Sequence, residues 1–173
     1  SAIKKGAVAV ICSKKTKIKN IKIPIIKVQN TKKTLIDCCV KFYGPKPKNI
    51  VAVTGTNGKT SVADFFYQIF SLNKIPVASI GTLGIKTKKF NKKLTLTSPD
   101  IISLHRELTK IKKNKIDNVI IEASSHGLDQ DRMCGLNFKA GIFTNLSRDH
   151  LDYHKTMKNY LNSKLILFSK LMK

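Results

Sequence analysis

The stretch "VAVTGTNGKTSVADFFYQIF", Val51 to Phe70, passes from an apolar run through a turn rich in Gly and Asn to a Lys, a Thr and a patterned segment. Its residues read as strand, turn and helix. Gly55 and Gly58 can take positive φ and let backbone N–H groups approach an anion with no Cβ in the way. A helix that starts at once turns its unpaired N–H groups and the positive end of its dipole toward the same anion. Lys59 adds a point charge for outer phosphates, and the Thr60 hydroxyl can ligate Mg²⁺. The spelling G-x-x-G-K-T is shorter than Walker A, because Val53 stands where that motif has its first Gly.

Working outward, Ile50 to Val53 is predicted as a buried strand and Thr60 to Phe70 as a helix with Val62, Phe65, Phe66 and Ile69 on one face. "IPVASIG" reads as the next strand and "KTKKFNKK" as an exposed hairpin or loop. Ile101 to Lys113 has Ile101, Leu104, Leu108 and Ile111 in helical phase. "NVIIEA" and "AGIFTN" are short apolar runs without polar alternation, as expected of strands covered on both faces. Strands alternating with helices predict an α/β fold: a mostly parallel sheet flanked by helices, its ligands gathered at the carboxyl ends of the strands. Upstream, "GAVAVICSKK" and "IPIIKV" read as strands. "TKKTLIDCCVKFY" reads as a helix with Leu35, Cys38, Cys39 and Phe42 in phase, and the Pro- and Lys-rich "GPKPKN" as a linker. A domain boundary is therefore expected there, with residues 1–46 before it and 47–173 after it.

A phosphate-bound cation needs a carboxylate from a neighbouring strand end, and Glu122, closing "VIIE", is the candidate. "SSHGLDQDR" (Ser124 to Arg132) places Ser, His and Asp close together, but neither serine lies in a G-x-S-x-G elbow. Hydroxyls, an amide and an Arg beyond a strand end suit recognition of a polar anionic substrate better. "RDHLDYH" puts His150 and His154 four apart with Asp149 and Asp152 beside them. A zinc pair and a single His near Mg²⁺ both fit that spacing, although Leu151 replaces the Glu of the metalloprotease helix. In a last helix, Thr156 to Met172, Lys164 falls inside the apolar stripe of Met157, Tyr160, Leu161, Leu165 and Phe168. A snorkelling stem is one reading of it. The other is a desolvated amine of lowered pKa, able to react with CO₂ and become an anionic carbamate.

The charge of +23, from 33 Lys+Arg against 10 Asp+Glu, would suit a nucleic-acid surface. Only Arg106, Arg132 and Arg148 are Arg, however, and bidentate recognition of phosphate or guanine favours Arg, so a solvated Lys surface is expected instead. Four Cys without a C-x-x-C pair point to reduced thiols and no zinc knuckle. No apolar run reaches the roughly 18 to 20 residues of a membrane span, and the start is too charged for a secretory signal, so a cytoplasmic location is expected.

Taken together, "TGTNGKT", Glu122 within "EASSHGLDQDR", and "FTNLSRDHLDYHKTMKNYLNSK" resemble the Mur ligases, ATP-dependent amide-forming enzymes of peptidoglycan synthesis. The SSHGL and DHLDYH runs resemble the member that adds the third amino acid, diaminopimelate or lysine, to UDP-N-acetylmuramoyl-L-alanyl-D-glutamate. The resemblance implies that Gly55, Thr56, Asn57, Gly58, Lys59, Thr60 and Ser61 hold the ATP phosphates. It implies that Thr60, Glu122 and His150 serve the metal, and that Lys164, 164 − 150 = 14 residues past His150, is the lysine that becomes carbamylated. Thr97 and Ser98, in "TSP" where the family has Thr-Thr-Pro, and Ser124, Gln130 and Arg132 match contacts to the UDP-muramoyl substrate.

ATP and Mg²⁺ are the implied cofactors, the UDP-muramoyl dipeptide and an amino acid the implied partners, and a monomer without nucleic acid or membrane the implied state. The family has three domains. Against them, residues 1–46 match the end of a UDP-binding domain and 47–173 the start of the ATP-binding one, so these residues alone are expected not to form the peptide bond. A folylpolyglutamate-synthetase-type ligase, a nucleic-acid P-loop NTPase and a zinc hydrolase at His150 and His154 are the competing readings.

Overall fold

The computed structural model describes residues 2–17 and 22–172. The chain divides between Phe42 and Tyr43 into two compact units, described separately. In the first, β1 (Val10–Ser13) and β2 (Ile25–Val28) pair in parallel with Val10 opposite Ile25, and α1 (Thr31–Phe42) follows. The predicted stripe of α1 is only partly correct. Cys39 is buried, whereas Leu35 and Phe42 are exposed, because the inward line passes through half-buried Ile36 instead.

The second unit is built on a six-stranded sheet. Its strands are β3 (Asn49–Thr54), β4 (Val77–Gly81), β5 (Gly84–Thr87), β6 (Asn91–Lys92), β7 (Asn118–Glu122) and β8 (Ala140–Phe143). Their order is β6-β5-β4-β7-β3-β8, parallel from β4 to β8, with the β5–β6 hairpin antiparallel on the β4 side. That hairpin is the "KTKKFNKK" segment, its turn closed by Thr87 N donating to Phe90 O at 3.1 Å.

Strand period explains the layering. In β7, Val119 and Ile121 point into the larger core with Leu104, Leu108 and Ile111, while Ile120 points to the opposite face with Val53 and Ala63. Both faces are therefore covered, as the unbroken apolar runs demand.

Helix α3 spans Ile101–Lys113, as its period predicts. It starts where the Asp100 side chain accepts from Ser103 N at 3.0 Å, an N-cap. Leu104, Leu108 and Ile111 are fully buried on it, each stabilising by roughly 1.5–3 kcal/mol. Helix α2 (Lys59–Leu72) covers the other face, with Val62, Ala63 and Phe66 turned inward. Phe65 and Ile69, expected on that inner face, are 61% and 59% exposed. The apolar arc of α2 covers about half of its girth, wider than the face it buries, and the small Ala63 lies against the sheet within that arc.

Beyond β7 come α4 (Ser125–Asp129), α5 (Leu151–His154) and α6 (Met157–Ile166), which continues as a π-helical turn over Leu167–Leu171. The single last helix expected from the sequence thus widens after Ile166. Tyr160, Ser163, Lys164 and Leu167 are buried, and Leu165, placed in the stripe by its spacing, is 39% exposed. Among the described residues no helix is long and apolar enough to cross a membrane. The carboxyl ends of the four parallel strands, Thr54, Gly81, Glu122 and Phe143, share one end of the sheet, and the loops that follow them build the site.

Candidate functional site

The turn between β3 and α2 is shaped by its glycines. Gly55 has φ 141°, and a Cβ there would stand 1.9 Å from Thr144 Oγ1; Gly58, with φ 81°, is the N-cap of α2. The chain beyond β8 braces the turn from one side. Thr56 N donates to Asn145 O at 3.0 Å, Asn57 N to Asn145 Oδ1 at 3.0 Å, and Thr144 Oγ1 to Asn57 O at 2.6 Å. Thr56 Oγ1 also meets Ser147 O at 3.2 Å and the Tyr160 hydroxyl at 3.1 Å. The loop is braced by its neighbours, and its residues Thr56 to Ser61, with the start of α2, line a cleft of ≈ 270 Å³.

Two amines enter that cleft. Lys59 Nζ donates to Gly55 O at 3.0 Å and Thr56 O at 2.7 Å. Lys164 Nζ, 1% exposed, donates to the same Gly55 carbonyl at 2.7 Å and lies 4.2 Å from the centre of the Tyr160 ring. Burial lowers the pKa of Lys59, against the opposing pull of Glu122 and Asp149. Burial, and then repulsion from Lys59, lowers Lys164 further, to about 8. Two cationic groups on one carbonyl make a site that calls for an anion.

Opposite them is the carboxylate. β7 lies beside β3 with Glu122 opposite Val53, so Glu122 emerges next to the loop. It is 2% exposed; Oε2 accepts from Thr60 Oγ1 at 2.9 Å and Thr82 Oγ1 at 3.1 Å, and Oε1 from Thr82 N at 2.9 Å. His150, in the left-handed region at φ 51°, lines the same cleft, with Thr97, Ser124 and Ser125 along its other wall. Lys59 and Thr60 at the start of α2, Glu122 at the end of β7, His150 before α5 and Lys164 on α6 therefore converge on one cleft.

His154 does not join them. It is 5% exposed on α5, 5.2 Å ring to ring from Tyr160 and 5.4 Å from His126, and it lines a different hollow. Burial, with like charge from the neighbouring histidines, lowers the pKa of both His126 and His154. Among the described residues no three His, Cys, Asp or Glu side chains gather as a metal site, which removes the basis of the zinc reading.

The expected recognition loop is in part the short helix α4, capped by Ser124 Oγ accepting from Gly127 N at 3.1 Å. Ser98 Oγ donates to Glu122 O at 2.8 Å and meets Ser124 Oγ at 2.9 Å. Arg132 donates through Nη1 to Ser98 O at 2.8 Å and through Nε to Gln130 Oε1 at 3.0 Å. Ser98, Ser124, Gln130 and Arg132 thus form one connected network, but of these only Ser124 lines the cleft; Thr97 lines it too, and bonds to Thr82 instead. Sequence reading missed Thr82, Ser125, Asn145 and Tyr160. Ser125 Oγ is buried against the cleft without a hydrogen-bond partner. Only Tyr160 carried a signal, its place four residues before Lys164 on α6.

The family model of the Mur ligase middle domain matches residues 53–173. A UDP-N-acetylmuramoyl-L-alanyl-D-glutamate–2,6-diaminopimelate ligase of Brucella melitensis is 44% identical over 171 residues, covering 99% of this chain and 35% of that protein. A protein of the same name from Rickettsia bellii is 45% identical, covering 97% and 36% respectively. A solved structure of such a ligase superposes with TM-score 0.81 at 31% identity, over 99% of this chain and 35% of its own. A MurF ligase of Thermotoga maritima in complex with ADP shares the fold, with TM-score 0.56 at 20% identity over 96% of this chain and 35% of its own. The chain spans about a third of the length of the curated relatives it matches.

Proposed function

This chain belongs to the Mur ligase family, and we propose from that premise that it carries the ATP-binding and acceptor-binding parts of an amide ligase of peptidoglycan synthesis. The reaction is addition of diaminopimelate, named in the relatives, to UDP-N-acetylmuramoyl-L-alanyl-D-glutamate. Residues 1–46 would then contribute to holding the UDP end of the acceptor, and residues 47–173 to holding ATP. The observation that carries this reading is the meeting of Lys59, Thr60, Glu122 and Lys164 in one cleft beside a glycine turn and a helix start.

The residues imply a division of labour. The turn from Gly55 to Ser61 binds phosphate oxygens through backbone N–H groups, and Lys59 neutralises the outer phosphates. Thr60 and Glu122 are oxygen donors that already share a hydrogen bond, a set that fits Mg²⁺. With His150 and, as its carbamate, Lys164, they would hold that ion, which when bound supplies charge neutralisation at the triphosphate. Thr97, Ser98, Ser124, Gln130 and Arg132 position the acceptor so that its D-glutamyl carboxylate oxygen attacks the γ-phosphorus. ADP leaves and an acyl phosphate forms. The incoming amine then attacks the acyl carbon, and the tetrahedral adduct expels phosphate to give the amide. No protein nucleophile is needed, since positioning and preorganised charge carry the catalysis.

Isothermal titration with ATP, with and without Mg²⁺, tests the part this chain can perform by itself. One saturable site that weakens on chelation is expected, as is retention of the chain by immobilised UDP-muramoyl dipeptide. Steeply salt-dependent affinity for nucleic acid, with no such site for ATP, would overturn the reading in favour of a nucleic-acid NTPase.

A further inference from the structure

We propose that Gly81 and Thr82, where β4 leaves the sheet, form a seat that holds the Glu122 carboxylate away from Lys59, so that each remains available to a metal-bound triphosphate. The inference rests on the nucleotide reading above and assigns a positioning role to two residues outside the phosphate motif.

The seat has a steric half and a polar half. β4 pairs with β7 as far as Ile80 opposite Ile121, which brings Gly81 beside Glu122. A Cβ on Gly81 would stand 2.0 Å from Glu122 Oε1 and 2.4 Å from Cδ, so the carboxylate lies in the space that a side chain there would fill. Thr82 then grips both oxygens, its N–H donating to Oε1 at 2.9 Å and its hydroxyl to Oε2 at 3.1 Å. Two bonds from one residue fix the carboxylate plane.

A buried carboxylate near an ammonium is drawn to it strongly, because the local dielectric is low. Here Glu122 instead takes its bonds from Thr60 and Thr82, and Lys59 gives its bonds to the carbonyls of Gly55 and Thr56. Direct pairing of the two would cancel both charges. Thr82 also has one hydroxyl proton, which goes to Glu122. The contact at 3.2 Å with Thr97 Oγ1 is therefore donated by Thr97, and this links the acceptor wall of the cleft to the carboxylate. Thr82 is exposed, so its side chain adds little to packing and its loss should not unfold the chain.

The test combines crystal structures of nucleotide-free Thr82→Val, Gly81→Ala and Thr82→Ser chains with their affinity for Mn²⁺·ATPγS, measured by electron paramagnetic resonance. In T82V and G81A, Glu122 is expected to swing toward Lys59 and affinity to fall by about tenfold, the scale of one charge-assisted hydrogen bond. T82S keeps both donors and should stay within about twofold of the parent. A carboxylate that keeps its place in T82V, or T82V affinity equal to the parent's, overturns the seat. A parent chain that binds no Mn²⁺·ATPγS while Glu122 still moves in T82V would sink the nucleotide reading and leave the seat standing.

Discussion

Lys59→Met is expected to weaken ATP binding by roughly 100-fold, the largest loss from any single side chain in the cleft. The ammonium is pointed inward by the carbonyls of Gly55 and Thr56 and is half-buried, so its field on a phosphate is poorly screened by water. Two charge-assisted bonds to phosphate oxygens, each contributing ~1.5 kcal/mol, give about that factor. The fold should survive, because the Gly55 carbonyl keeps its bond from Lys164 Nζ and only the bond to the Thr56 carbonyl is lost outright. Lys59→Arg should not rescue binding, since a planar fork cannot coil into the space that a single nitrogen occupies between those carbonyls. Titration calorimetry checks this, and K59M affinity within about threefold of the parent would remove Lys59 from the phosphate site.

The second large effect is on stability, through Lys164. Its amine is buried and its pKa is lowered from 10.5 to about 8, by burial first and by Lys59 second. The unfolded chain holds that proton up to its ordinary pKa, whereas the folded chain releases it near pH 8. Between those limits the unfolded state binds more protons, so stability rises with pH. Below them the penalty is constant, and across the window the gain is about 3 kcal/mol. Comparison with Lys164→Met in CO₂-free buffer isolates this group from the many surface lysines. Denaturant titrations should show the parent gaining about 3 kcal/mol on the variant between pH 8 and 10.5; parallel pH profiles would contradict it. The same lowered pKa leaves roughly a tenth of the amine neutral at pH 7, enough to add CO₂ and release a proton. A carbamate resonance in ¹³CO₂-treated parent, absent from K164M, is the expected companion result.

The phosphate turn, the strand before it and the full length of α3 were legible in the sequence because each carries a local signal. Glycines mark the turn, and Ile101, Leu104, Leu108 and Ile111 in helical phase mark the helix. The rotation of α2 was not legible, since its apolar arc is wider than the face it buries and the contact of Ala63 with the sheet decides which residues face inward. Lys164 could be placed inward by spacing, but Leu165 could not be placed outward, because the burial pattern of α6 depends on what packs against it. Thr82 had no signal at all, and Ser125 entered only as one hydroxyl of the SSHGLDQDR loop. Their importance comes from Glu122 arriving beside β4 and from α4 closing over the cleft, both consequences of strand order rather than of nearby sequence.

The central claim is that a lysine ammonium, a threonine hydroxyl and a glutamate carboxylate from different segments meet at one metal-bound triphosphate. A crystal structure of the chain with Mg²⁺ and a non-hydrolysable ATP analogue measures this directly. The claim predicts the terminal phosphate within hydrogen-bonding distance of Lys59 Nζ and the metal between Thr60 Oγ1 and the Glu122 carboxylate. A nucleotide seated elsewhere, or a metal that ignores Glu122, would contradict it.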